Sequence, residues 1–280
     1  MNGLTHVPKK LLTRSDKKWY PFYIDHAKIV QKDYGINSIN ENGNIVDIPI
    51  GLCSSILMGP GTSITHGAIS ICADCNCLIE WVGENSSIYY ATGISPVSSN
   101  KNAMNQIKIR CNRKLRLEIV KKLFKIRYKD LDVNSLTIKN MMGIEGHKVR
   151  TTYSNLSKTY GVVWRGRKYT HSNYKTSDDI NKGISFANSI LYSFCKNIII
   201  SNGYLPSIGF IHCSSMIDFV LDLADVFKEK YALEVAFESM MRCKTFNMED
   251  LRHRSILKYE SDKASKQINN CLHILFEEKS

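Results

Sequence analysis

Four carboxylates recur along one oily stretch of the chain. Between Met216 and Tyr231 most residues are hydrophobic, and the exceptions include Asp218, Asp222, Asp225 and Glu229. At about 100° per residue a helix gathers these four into a stripe roughly 60° wide. Two readings stand. The stripe is the one face that meets water, which spacing alone favours, or it holds a cation, because buried carboxylates are costly unless paired or metal-bound. His212 lies just upstream, beside Phe210 and Ile211 and after Gly203-Tyr204-Leu205-Pro206. A single histidine among apolar neighbours is ordinarily a hydrogen-bonded core residue. Glu145, between Gly143 and Gly146, reads as a carboxylate that complements the start of a helix. None of these signals is specific by itself.

A second kind of chemistry lies in the charge. Ten basic residues fall between Lys108 and Lys129 (Lys108, Arg110, Arg113, Lys114, Arg116, Lys121, Lys122, Lys125, Arg127 and Lys129), with only Glu118 against them. Like charges at helical spacing repel, and a polyphosphate partner removes that penalty. The alternative is a solvated face whose long side chains cover apolar surface. The whole chain carries 38 Lys and Arg against 26 Asp and Glu, a formal net charge of +12. That balance favours polyanions such as nucleic acid, an anionic membrane surface or an acidic protein, without choosing among them. The run Cys72, Cys75 and Cys77 looks like half of a zinc site, for which His66 could be a fourth ligand; the alternative is an apolar core position.

The elements that must position these groups fall into two sets. The first hundred residues read as strand-rich, with a hairpin at Asn42-Gly43 between Ile39 and Ile45-Val46, and strands at Leu78–Gly83 and Ile88–Ala91. A short helix runs from Thr65, its cap, to Asn76. The segment Gly93–Asn102, rich in Gly, Pro, Ser and Asn, is the linker. Helical patterns follow at Gln106–Tyr128, Gly143–Tyr160, Asp179–Ser201 and Met216–Tyr231, and Val162–Tyr169 reads as a hairpin around Arg165-Gly166. The fold class expected is α+β: a small N-terminal β-rich domain, residues 1–97, followed by a larger all-α C-terminal domain, 98–280. The first twenty residues lack the apolar core of a secretory signal, and no apolar run is long enough to span a bilayer. With nine scattered cysteines, this points to a reducing, cytoplasmic setting and no membrane.

Taken together, these segments resemble the CRISPR-associated integrase that inserts new spacers into CRISPR arrays, in its type I-E form. Gly143-Ile144-Glu145-Gly146, Val149-Arg150, Tyr153 and Tyr160-Gly161-Val162 look like that family's central motif. Gly203-Tyr204 through Pro206, Ile208-Gly209-Phe210 and His212 resemble its histidine loop, and Phe219 through Asp225 the helix that follows. Pro60-Gly61-Thr62, His66 and Trp81-Val82-Gly83-Glu84 match in the N-terminal half.

The resemblance implies a metal-dependent DNA integrase and endonuclease with Glu145, His212 and Asp225 as ligands of Mg²⁺ or Mn²⁺ and Asp222 as an auxiliary catalytic carboxylate. The N-terminal domain would serve dimerisation, partner and DNA contact, and the helical domain catalysis. The expected partners are double-stranded and forked DNA, a second copy of the chain, and a small ferredoxin-like CRISPR-associated protein. DNA contacts are expected at Arg113, Lys114, Arg116, Arg167, Tyr169 and Tyr192, and at His26, which stands where the family often has an aromatic residue capping the duplex end. Trp164 is either on the DNA path or in the core. Ser215 stands where the type I-E pattern carries a lysine linked to reading the protospacer-adjacent motif, which implies a different motif selection. The competing functions are a branched-DNA nuclease outside spacer acquisition and a non-catalytic DNA-binding scaffold.

Overall fold

The computed structural model describes residues 7, 21–84, 89–93, 99–167 and 177–277. The chain divides into two units, Met1–Ser98 and Ser99–Ser280. The first is built of β1 (Phe22–Ile24), β2 (Ala27–Lys32), β3 (Gly35–Asn40), β4 (Ile45–Ile48), β5 (Ser55–Met58), β6 (Ser63–Ile64), α1 (His66–Asp74), β7 (Leu78–Val82) and β8 (Tyr89–Gly93). Two four-stranded sheets result, in the orders β1-β5-β7-β8 and β4-β3-β2-β6. The β3–β4 hairpin pairs Ile39 with Ile45, and Gly43 takes φ +78 in the turn, a conformation open to glycine without strain. Thr65 caps α1 by accepting from the Ala68 amide. Cys72, Cys75 and Cys77 are buried in this unit's core with Ile29, Ile36, Ile56 and Ile71.

The second unit is helical: α2 (Lys101–Cys111), α3 (Arg113–Arg127), α4 (Ile138–Tyr160), α5 (Asp179–Ser201), α6 (Asp218–Lys228), α7 (Glu234–Cys243), α8 (Met248–Ser261) and α9 (Ala264–Phe276). Helix α5 is buried along most of its length and packs against α6, α7, α8 and α9. Gly161 ends α4 at φ 63, the left-handed cap that glycine favours. Among the described residues no helix is long and apolar enough to cross a membrane.

Several boundaries differ from the sequence reading. The stretch Gln106–Tyr128 is two helices, because Asn112 is extended and its side chain caps α3 by accepting from Lys114 N at 3.0 Å and Leu115 N at 3.1 Å. Helix α4 starts at Ile138, capped by Thr137, so Glu145 lies in the helix interior and not at its start. Residues 162–167 form no strand. The linker is shorter than Gly93–Asn102, since Gly93 closes β8 and Lys101 opens α2. Finally, α6 passes into α7 through a π-helical turn, Glu229–Leu233.

Candidate active site

Three segments of the helical unit bring Glu145 from α4, His212 from the α5–α6 loop and Asp225 from α6 to one pocket of about 320 Å³. Its wall also includes Arg127, Tyr128, Thr152, Tyr153, Lys228 and Glu229.

Asp222 does not line that pocket. Its side chain is fully buried and organises the loop that ends in His212. One carboxylate oxygen accepts from the Phe210 and Ile211 amides, the latter at 3.0 Å. The other accepts from the His212 amide at 3.0 Å and lies 2.7 Å from His212 Nδ1. A carboxylate oxygen only accepts, so Nδ1 carries the hydrogen and Nε2 is the atom turned towards Asp225, 3.9 Å from its Oδ2. The Asp222 hydrogen bond raises the His212 pKa against the opposing effect of burial. Asp218 is also buried and accepts from Ser215 N at 2.9 Å. The acidic stripe is therefore no water-facing surface: two of its four members are internal acceptors for backbone amides.

The other end of the loop is held from α2 and α3. Gln106 is fully buried; its Nε2 donates to the Leu205 and Ile208 carbonyls at 3.0 and 2.7 Å, and its Oε1 accepts from Leu205 N at 2.8 Å. Arg116 Nε donates to the Phe210 carbonyl at 2.7 Å. Gly209 has no room for a side chain, since a Cβ there would stand 2.7 Å from both the His212 carbonyl oxygen and the Asp218 Cβ. Beneath the loop, Phe276 stacks on Tyr204 at 4.2 Å and meets Phe210 and Phe219 at 5.9 Å.

Two of the three pocket carboxylates, Glu145 and Asp225, carry internal cations. Glu145 pairs with Arg127, both largely screened from solvent. Asp225 Oδ1 accepts from Lys228 Nζ at 2.8 Å. Burial alone would raise the Asp225 pKa, but Lys228 and Arg127 beside it outweigh burial and hold it below the ordinary carboxylate value. Burial likewise opposes the Lys228 ammonium, and Tyr192 together with Asp225 raises its pKa despite it. Tyr128 is pushed up to about 12, chiefly by burial.

The residues expected on the DNA path scatter. Tyr192 lies beside the pocket, its ring 5.5 Å from Lys228 Nζ. Arg113 and Lys114 are exposed in the first turn of α3, whereas Arg116 is turned to the histidine loop. Arg167 is bound to α5 through Asn181 and Ser185. Trp164 stacks on Tyr153 at 4.4 Å and packs on the helical core. His26 is exposed in the N-terminal unit, at φ 45 in the β1–β2 turn. Tyr169 lies outside the described residues. Of the ten basic residues, Arg116, Lys121, Lys122 and Arg127 make bonds within the unit, so the run is only partly a free phosphate-facing surface.

Sequence reading missed Gln106, Tyr128, Thr152 and Lys228, took Glu229 only as one member of the acidic stripe, and counted Arg127 only as one of many bases. The spacing Asp225 to Lys228, one helical turn, is the one local signal that pointed to a pair.

Among the described residues no three His, Cys, Asp or Glu side chains already converge as a metal cluster. The donor chemistry nevertheless fits a hard divalent cation: two carboxylates and one imidazole nitrogen, the latter with its second nitrogen fixed by a carboxylate. The 3.9 Å between His212 Nε2 and Asp225 Oδ2 also fits, since two donors on one ion at about 2.1 Å each stand at most about 4.2 Å apart.

Residues 127–268 match the family model described as "CRISPR associated protein Cas1". The CRISPR-associated endonuclease Cas1 2 of Chlorobaculum tepidum is 38% identical over 235 residues, covering 84% of this chain and 79% of that protein. The CRISPR-associated endonuclease Cas1 of Escherichia coli is 34% identical over 220 residues, 79% and 72% of the two chains. The crystal structure of a TtCas1–DNA complex superposes with a TM-score of 0.82 at 29% identity, covering 93% of this chain and 92% of that one.

Proposed function

This chain belongs to the Cas1 family of CRISPR-associated endonucleases and integrases, and on that premise we propose that it inserts DNA fragments as new spacers into a CRISPR array by metal-dependent strand transfer. One observation carries the reading: Glu145, His212 and Asp225, remote in sequence, line one pocket, with Asp222 locking the imidazole.

The reaction is a transesterification. The 3′-hydroxyl oxygen of a captured fragment forms a bond to a repeat phosphorus, the bond to the target strand's own 3′-oxygen breaks, and that oxygen leaves as a new 3′-hydroxyl. Hydrolysis is the same displacement with water as nucleophile. Glu145, His212 Nε2 and Asp225 would hold Mg²⁺ or Mn²⁺, which when bound supplies Lewis-acid polarisation of the phosphoryl oxygen. Asp222 keeps Nδ1 protonated, which leaves the Nε2 lone pair as the one that would hold the ion. Gln106 and Arg116 hold the loop so that His212 does not drift from its partners. Gly146, which lines the pocket beside Glu145, leaves the α4 surface there bare, with nothing within 4 Å of its Cβ position, which suits close approach of a sugar–phosphate backbone. Exposed Arg113 and Lys114 supply phosphate contacts. A homodimer acting with the small ferredoxin-like CRISPR-associated partner would present two such sites to the two edges of a repeat.

The test is strand transfer by the purified chain with that partner, Mn²⁺ or Mg²⁺, a short DNA with 3′-hydroxyl ends and a plasmid carrying the cognate repeat. Glu145→Ala, His212→Ala and Asp225→Ala should each lower joining by about 10²-fold or more while leaving DNA binding largely intact. Joining that survives any one of them removes that residue from the ligand set. Nicking without joining in the unsubstituted chain replaces the integrase reading with a nuclease.

A further inference from the structure

The pocket that presents Glu145 and Asp225 also contains two cations already paired with them. Arg127 reaches Glu145, and Lys228 reaches Asp225. All four side chains are partly or largely buried, between 16% and 24% exposed, so these are not loose surface pairs screened by solvent. Each cation also has an aromatic face within reach: the Arg127 guanidinium carbon is 5.1 Å from the Tyr128 ring centre, and Lys228 Nζ is 5.5 Å from that of Tyr192.

We propose that Arg127 and Lys228 are place-holding cations that compete with the divalent ion for Glu145 and Asp225, and that ion binding frees them from the carboxylates, leaving them on the aromatic faces they already contact and available to the DNA phosphate. This rests on the reading of Glu145, His212 and Asp225 as ligands. Charge counting shows why the exchange is needed. The pocket lining carries three carboxylates, Glu145, Asp225 and Glu229, and two fixed cations. A dication arriving with both cations in place meets a net charge of −3 + 2 = −1, and its ligands' oxygens are already donated to. With both displaced it meets −3. The pairs keep the carboxylates ionised and side by side, which two neighbouring buried anions would otherwise resist. They also set the ion's affinity low, so that it binds firmly only when DNA phosphate accepts the released cations. Ion and DNA therefore bind with positive coupling.

The measurement is Mn²⁺ titration of the full chain without DNA, followed by the spin resonance of free Mn²⁺. Arg127→Gln and Lys228→Gln should bind Mn²⁺ about 10- to 100-fold more tightly than the unsubstituted chain, the effect of removing one unit charge a few ångströms away in a partly exposed site. Arg127→Lys, which keeps the charge, should stay at the unsubstituted affinity. Equal or weaker binding in both glutamine variants, with circular dichroism unchanged, overturns the exchange. A second measurement uses the unsubstituted chain alone, so it does not depend on a variant folding: Mg²⁺ should speed acylation of Lys228 by an amine reagent, read by mass spectrometry, and an unchanged or slower rate counts against the proposal. Failure of the ligand reading looks different. In that case Glu145→Gln and Asp225→Asn bind Mn²⁺ as the unsubstituted chain does, and the exchange falls with it.

Discussion

Asp222 shows how much can hang on one carboxylate. It accepts from three consecutive backbone amides and from the imidazole that follows them, at the fully buried end of the histidine loop. Asp222→Asn keeps the shape but turns one acceptor into a donor facing donors. The expected cost is about 2–4 kcal/mol of stability by denaturant titration, given that hydrogen bonds to charged groups contribute about 1.5–3 kcal/mol each. Part of that cost depends on pH. The folded-state His212 pKa is raised, so its pairing with Asp222 contributes fully below the ordinary imidazole value of 6.5 and fades as pH rises through the higher folded value. The gap between Asp222→Asn and the unsubstituted chain should therefore narrow as pH rises across that window, leaving the pH-independent share of the amide bonds. A gap that widens would mean that Asp222 does not hold a protonated imidazole. At this scale the sequence was partly legible. Glu145, His212 and Asp225 stood out through motif order, but nothing marked Gln106, whose amide satisfies a loop some hundred residues away, or Arg127, one base among ten.

At the scale of elements, the helix that carries Glu145 has a feature its own stability does not explain. Gly146 lies in the interior of α4, lines the pocket, and has nothing within 4 Å of where a Cβ would stand. An interior helical glycine costs about 1 kcal/mol relative to alanine. Gly146→Ala should thus raise the unfolding midpoint while lowering strand transfer, through loss of the bare surface beside Glu145. Gains in both stability and joining would show that DNA does not approach there. Local chemistry made the short elements readable: Thr65 capped α1, Asn42-Gly43 turned a hairpin, Gly161 stopped α4. The misses have equally local causes. Asn112 interrupts a basic, apolar-spaced run with one extended residue, and periodicity alone passes over a single-residue break. The π-helical turn at Glu229–Leu233 adds one residue to the helical register without any glycine or proline to announce it. The acidic stripe misled because spacing reports that carboxylates share a face, not whether water or backbone amides cover it.

The whole molecule has two cores among the described residues, one drawn only from the first unit and one only from the second. Calorimetry should accordingly show two unfolding transitions. Leu191→Ala, at a fully buried position in the middle of α5, should lower only the helical one, by about 2–5 kcal/mol; a common shift of both transitions would mean that the units unfold as one. The order of the chain has a further consequence for how this protein is born. Phe276, in the last turn of α9, stacks on Tyr204 and packs on Phe210 and Phe219, directly under the loop that presents His212. A ribosome delivers Glu145, His212 and Asp225 well before it delivers Phe276. Until then the loop that presents His212 lacks this aromatic floor, so its final packing waits on a residue made after all three of the residues it brings together.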